Sequence, residues 1–117
     1  MSRDRGITVI GYVSPYSKHV FDRFHTLGGA CEQSMIEVTR RVQDVFEKNN
    51  STFYDMSDIT AVGGSDGEMY DHGHFSEKLA LRIFIALAQK SAVLGEYVDI
   101  PFLKQKLYTS GSQFEVF

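Results

Sequence analysis

The order of three apolar patterns in the first half of the chain constrains the fold most. Residues 7–14 (ITVIGYVS) form a continuous apolar run, which is typical of a strand covered on both faces by helices. Residues 30–48 carry apolar side chains at intervals of three and four, which predicts an amphipathic helix. Residues 51–59 (STFYDMSDI) predict a second strand. Strands that alternate with helices indicate an α/β fold, with a parallel sheet and right-handed crossovers.

Two further helices are predicted, and the last part of the chain is ambiguous. Apolar residues at helical spacing before Gly28 and Gly29 predict a short helix ending there. Ser76 is a suitable cap for a helix from Glu77 to about Ser91, which is apolar nearly all round and should be buried against more than one neighbour. Residues 97–108 fit a strand followed by a turn of helix, and residues 112–117 fit an edge strand.

Composition narrows the class of protein. The chain has 117 residues, enough for a single domain spanning residues 1–117. Its net charge of -3 argues against nucleic acid as a partner, because phosphate contacts need a basic surface. No apolar run approaches the roughly 20 residues of a membrane span. We also expect no cofactor and no metal.

The compartment is not determined by the sequence. Cys31 is the single cysteine, so an intramolecular disulfide is excluded. The apolar run near the amino terminus is short and lacks a small-residue cleavage site, so it predicts a strand rather than a signal peptide. A cytoplasmic location is therefore only the default expectation.

The best candidate for a catalytic element lies in the loop before the apolar helix, where Asp71 and His74 stand three residues apart. An imidazole acts as a general base when a carboxylate bonded to one ring nitrogen fixes its tautomer and orientation. A turn that enters a helix can bring two such side chains together locally. The loop follows the second predicted strand, and open parallel sheets place their sites beyond the carboxyl ends of the strands.

This segment resembles the carboxyl-terminal half of an SGNH (GDSL-type) hydrolase domain. Members of that family carry an Asp-x-x-His motif, written D-x-x-H-[LFP]-[SN]-x-x-[GA], before their last helix, and residues 71–79 (DHGHFSEKL) follow it apart from Leu79. The similarity extends over residues 6–90. It implies a three-layer fold of flavodoxin-like type, with a parallel sheet flanked by helices. It also implies ester hydrolysis or acyl transfer on a small ester, with His74 as general base and Asp71 as the residue that orients it.

The family's nucleophile block is missing. In the family, a Gly-Asp-Ser block follows the first strand of the domain, and no such block precedes Ile7. The similar letters at Gly63 to Gly67 stand in a different order and place, so we interpret them as loop. The chain is thus interpreted as a carboxyl-terminal fragment of a larger domain, inactive alone. Its expected partners are a second copy of itself or the missing amino-terminal segment.

Other interpretations remain open. The chain could be a non-enzymatic α/β interaction module, in which Asp71 caps a turn and His74 is half-buried at the start of the helix. Asp71, His72 and His74 could instead bind a divalent metal. Further histidines and nucleophiles are available, namely His19, His25, Ser14, Ser17, Ser65 and Cys31.

Overall fold

The computed structural model describes residues 6–117, so the charged start of the amino-terminal segment, residues 1–5, lies outside the described residues. The described part is mixed α/β, with five helices around a two-stranded parallel sheet. The elements are β1 (Ile10–Val13), α1 (Lys18–Leu27), α2 (Gly29–Lys48), β2 (Thr52–Asp55), α3 (Glu77–Lys90), α4 (Ala92–Gly95) and α5 (Ile100–Thr109), with 3₁₀ turns at Ile59–Val62 and Asp66–Glu68.

The predicted parallel pairing of the two strands is confirmed. Register partners run from Ile10 with Thr52 to Val13 with Asp55, and α1 and α2 make the crossover between the strands. Each strand has only four residues, fewer than the sequence patterns predicted. Pro15 lies two residues beyond the end of β1, in keeping with its lack of a backbone donor.

The two faces of the sheet contact different helices. Gly11 and Phe53 are register partners, and the Phe53 ring lies 5.1 Å from the Phe46 ring of α2. A Cβ at Gly11 would lie 2.5 Å from the Phe46 ring, so any larger residue would have to displace that ring. On the other face, Ile10 and Tyr54 pack against the apolar cluster that α3 helps to form.

Helix α3 is buried on two sides, as predicted. Leu79, Ile83 and Leu87 form one cluster with residues after β2, and this cluster faces the sheet. Leu81 and Ile85 form a second cluster with α5 and the carboxyl-terminal residues. Ser76 begins the helix, and its Oγ accepts a hydrogen bond from the Leu79 N–H at 3.3 Å. The predicted cap is therefore confirmed.

Helix α2 forms where predicted, but its apolar stripe is only partly covered. Met35, Val42 and Phe46 are half-buried, whereas Val38 and Val45 are 60% and 57% exposed. A sheet of two short strands is too narrow to cover the whole stripe. The expectation that β1 is enclosed on both faces is also wrong in part, because Tyr12 is 39% exposed.

The tail after Gly95 contains a helix and no strand. Asp99 accepts a hydrogen bond from Phe102 N–H at 3.0 Å and begins α5, so the strand interpretation of that region is wrong. Residues 112–117 form no edge strand, because the hydroxyl groups of Ser110 and Ser112 bond to nearby backbone groups and turn the chain. Val116 then inserts into the second apolar cluster.

Candidate active site

The loop that carries Asp71 and His74 is closed at its base by backbone pairing. Met69 and Phe75 form an antiparallel bridge, and Tyr70 N–H donates to the His74 carbonyl at 2.8 Å. These bonds make a tight turn in which residues 71 and 74 lie on the same side. Phe75 also packs against the cluster beneath α3, which ties the turn to the core.

Within this turn the two predicted side chains meet. Nδ1 of His74 lies 2.7 Å from Oδ2 of Asp71 and 2.9 Å from Oδ1. Oδ1 also accepts hydrogen bonds from the backbone N–H groups of Gly73 and His74, each at 2.8 Å. A carboxylate offers only acceptors, so neutral His74 carries its ring proton on Nδ1 and leaves Nε2 as the basic nitrogen.

These donors favour the charged form of the carboxyl group. The Gly73 N–H, followed by the His74 imidazole and the His74 N–H, lowers the pKa of Asp71 from 3.8 to about 2. Asp71 therefore stays ionised while an imidazolium forms beside it, which is the state that an orienting carboxylate requires.

The pair is open to solvent. The His74 side chain is 81% exposed and that of Asp71 is 57% exposed, so the interpretation of His74 as half-buried at the start of the helix is wrong. Within residues 6–117, His74 Nε2 makes no hydrogen bond. The geometry fits a general base facing outward, and the bonds that Asp71 accepts from the backbone also fit a turn-capping role.

Contacts with the amino-terminal end of α1 fix the position of the loop. Ser17 is 4% exposed, its N–H donates to the His72 carbonyl at 3.4 Å, and its Oγ lies 3.3 Å from His72 Nδ1. The Asp66 carboxylate accepts from the N–H groups of Lys18 and His19, the latter at 3.2 Å. Tyr16 forms a parallel bridge with Asp58 just beyond the two strands. The loop therefore lies beyond the carboxyl ends of β1 and β2, as predicted.

A buried ion pair supports the base of the loop. Glu68 is 6% exposed, and both of its carboxylate oxygens lie within 3.1 Å of the Arg82 Nε on α3. The Glu68 carbonyl also accepts from Ser76 N–H at 2.9 Å. The sequence reasoning missed this pair, although a single arginine inside an otherwise apolar helix indicates a buried acidic partner.

The other chemically suitable residues do not complete a catalytic site. Within residues 6–117, no serine or cysteine is hydrogen-bonded to His74. Ser17 bonds to His72 instead, and Cys31 is exposed on α2. His25 pairs with Glu32 at 2.6 Å, away from the loop.

The pair belongs neither to a metal cluster of residues 6–117 nor to the groove beside α1 and α2. Across residues 6–117, no group of three or more His, Cys, Asp or Glu side chains is placed to hold a metal ion. His19 and His72 come closest among the histidines considered for such a site, with ring centres 6.4 Å apart. A groove in this part of the chain is lined by α1, α2 and the strand ends, and neither Asp71 nor His74 lines it.

Neither the helices nor comparisons with known proteins assign this chain to a class of protein. None of the helices in residues 6–117 is both long enough and apolar enough to span a bilayer. No family model matches the chain, and no curated protein or solved structure matches it, so the SGNH resemblance stays a prediction.

Proposed function

We propose that this chain carries the general base of an SGNH-type serine hydrolase that cleaves or transfers the acyl group of an ester. The observation behind the proposal is the contact of 2.7 Å between Asp71 Oδ2 and His74 Nδ1, in a rigid turn beyond the carboxyl ends of two parallel strands. In this proposal the fold is the later part of a three-layer α/β domain. Contacts of the sheet with α2 on one face and with α3 on the other support that arrangement.

The chemistry divides between two parts of the parent domain. A serine outside these 117 residues attacks the ester carbonyl, and its hydroxyl proton passes to His74 Nε2. The C–O bond to the leaving group breaks, and the imidazolium returns the proton to the departing alkoxide. Water or an acceptor alcohol then releases the acyl group by the reverse proton path. Asp71 remains ionised throughout, in accord with its low pKa.

The test is covalent labelling with a fluorophosphonate, which reacts with activated serines. The longest reading frame that contains this sequence is expressed beside the 117-residue chain. We expect a serine of the longer product to be labelled, and His74→Ala to slow labelling by about 100-fold or more, which is within the range for general-base catalysis. His25→Ala is the matched control, because His25 pairs with Glu32 away from the loop, and it should label at the wild-type rate.

The short chain supplies the second half of the test. We expect no labelling, and no turnover of a short-chain aryl ester above that of His74→Ala. Labelling of the longer product that does not depend on His74 would contradict the proposal. So would clear His74-dependent turnover by the short chain, since that would place a nucleophile within it.

A non-enzymatic interaction module is the second candidate. The exposure of both side chains favours it, because enzyme active sites usually lie in concave pockets. In that case the Asp71 carboxylate serves only to close the turn, and fluorophosphonate labels neither product.

A further inference from the structure

A groove of residues 6–117 lies between α1, α2 and the carboxyl ends of the strands. Gly28 joins α1 to α2, and Val13 and Asp55, the last residues of the two strands, also line the groove. Its volume is about 430 Å³, and it is open on one side. Binding sites for small molecules typically have volumes of about 300–1,000 Å³, so the groove is large enough for one.

Aromatic rings make up much of the groove wall. Tyr16, Phe21, Phe24 and Phe53 all line it. The Tyr16 and Phe24 rings meet edge-to-face, with centres 5.7 Å apart at 72°, and Phe21 packs in a similar way on His25 at 4.5 Å. These contacts orient the rings before any ligand binds, which lowers the entropy cost of binding.

Apart from His25, the ionisable side chains that line the groove are acidic. Glu32 and Asp55 line it, and no lysine or arginine does. Oε1 of Glu32 lies 2.6 Å from His25 Nδ1. Oδ1 of Asp55 accepts from Ser57, whereas Oδ2 makes no hydrogen bond within residues 6–117. An anionic ligand would be repelled here, and a cationic one attracted.

We propose that this groove binds an organic cation, namely a quaternary ammonium group that carries an aliphatic or aromatic body. The faces of aromatic rings attract cations, and such rings are the usual recognition device for quaternary ammonium groups. The apolar floor, which includes Met35 and Val42, takes the body of the ligand, and the carboxylates of Glu32 and Asp55 balance its charge. This site is separate from Asp71 and His74 and does not depend on the proposed hydrolase function.

The test compares three probes of similar size and different charge. The 117-residue chain, labelled with ¹⁵N, is titrated with hexyltrimethylammonium, 1-octanol and octanoate below their aggregation concentrations. We expect the cation to shift the amide signals of groove residues, with the alcohol binding about fivefold more weakly and octanoate weakest of the three. Equal or tighter binding of octanoate, or an absence of groove shifts with the cation at millimolar concentration, would overturn the proposal.

Two variants separate cation recognition from simple apolar binding. Phe24→Leu keeps an apolar side chain but removes a ring. It should weaken binding of the cation several-fold and have little effect on binding of the alcohol. Glu32→Gln, at a side chain that is 29% exposed, should also weaken the cation selectively. Phe102→Leu is the matched control, because that ring lies on α5 outside the groove and is 45% exposed. Equal weakening of all three probes by Phe24→Leu would leave an unselective apolar groove and refute the assignment.

Discussion

At the scale of single residues, the charge on Asp71 is held by three hydrogen bonds within the turn. Gly73 N–H, His74 N–H and His74 Nδ1–H all point at this carboxylate. Two of the three donors belong to the backbone, so the carboxylate is fixed by the turn itself. The imidazole then adopts the orientation that the carboxylate sets.

This network predicts an unusual acid titration for Asp71. The folded pKa of about 2 lies below the ordinary 3.8, so the group stabilises the folded turn above about pH 4. That contribution is lost as pH falls through about 2. Carboxyl ¹³C NMR of Asp71 measures the midpoint directly. His74→Ala should raise it only part of the way to 3.8, since the Gly73 N–H makes the largest contribution. A wild-type midpoint near 3.8 would contradict the geometry.

The Glu68–Arg82 pair makes a prediction about stability. Their side chains are 8% and 21% exposed, so Arg82→Met leaves a buried carboxylate without its partner. We expect a loss of unfolding free energy of about 3 kcal/mol in urea denaturation. The exposed pair of Arg41 with Glu37 is the control, and Arg41→Met should cost under about 1 kcal/mol. Equal losses in the two variants would show that Arg82 does not support the loop.

At the scale of elements, the packing of α2 on the sheet depends on the absence of a side chain at Gly11. Gly11 lies under the Phe46 ring and beside Phe53. Gly11→Ala should force these rings apart and destabilise the fold by about 1–3 kcal/mol, as overpacked cores do. Gly111→Ala is the control, because a Cβ there has nothing within 4 Å. If both variants melt at the wild-type temperature, α2 does not pack on β1 as described.

The elements differ in how well the sequence predicts them. Helix α3 was predicted nearly to its ends, because a serine cap and a continuous apolar pattern both mark it. For helix α5 the sequence predicts a strand followed by only a turn of helix, although Asp99 followed by Pro101 is a helix start signal, because the apolar pattern there also suits a strand. The prediction of an edge strand at residues 112–117 is wrong for a local reason. Backbone N–H groups in this segment donate to a serine hydroxyl group and not to the backbone of a neighbouring strand.

The candidate site likewise contains one contact that the sequence predicts and others that it does not. Asp71 and His74 are three residues apart, so sequence spacing was enough to predict their contact. The contacts of Ser17 with His72 and of His19 with Asp66 join residues 55 and 47 positions apart. Such pairs arise only from the crossover and the loop closing on the same edge of the sheet, which no local pattern encodes.

At the scale of the whole molecule, the fold is compact but flattened. Its extents are 43 × 40 × 18 Å, and its radius of gyration of 15.7 Å exceeds the roughly 13 Å expected for a rounded domain of this length. Two four-residue strands are few for an independently stable sheet. On α2, Val38 and Val45 remain more than half exposed.

Self-association, or pairing with a further segment of a parent domain, stays a prediction, and the exposed valines of α2 are the surface on which to test it. We expect the mass of the 117-residue chain in light scattering to rise with concentration. Val45→Glu should reduce that rise, whereas Tyr97→Glu, at a side chain that is 82% exposed elsewhere, should not. A constant monomer mass for the wild-type chain would contradict the idea that the exposed apolar surface of α2 binds a partner.

The most direct test of the catalytic proposal is the tautomer of His74, read from the ¹⁵N shifts of its ring nitrogens above the pH at which the imidazole loses its charge. The wild-type chain should show the proton on Nδ1, held by Asp71, with Nε2 free to accept one. Asp71→Ala should return the ring to the Nε2-protonated form that free imidazole side chains prefer, while the tautomer of His25, which pairs with Glu32 away from the loop, stays unchanged. An Nε2-protonated His74 in the wild-type chain would mean that the carboxylate does not orient the imidazole, and would contradict its role as a general base.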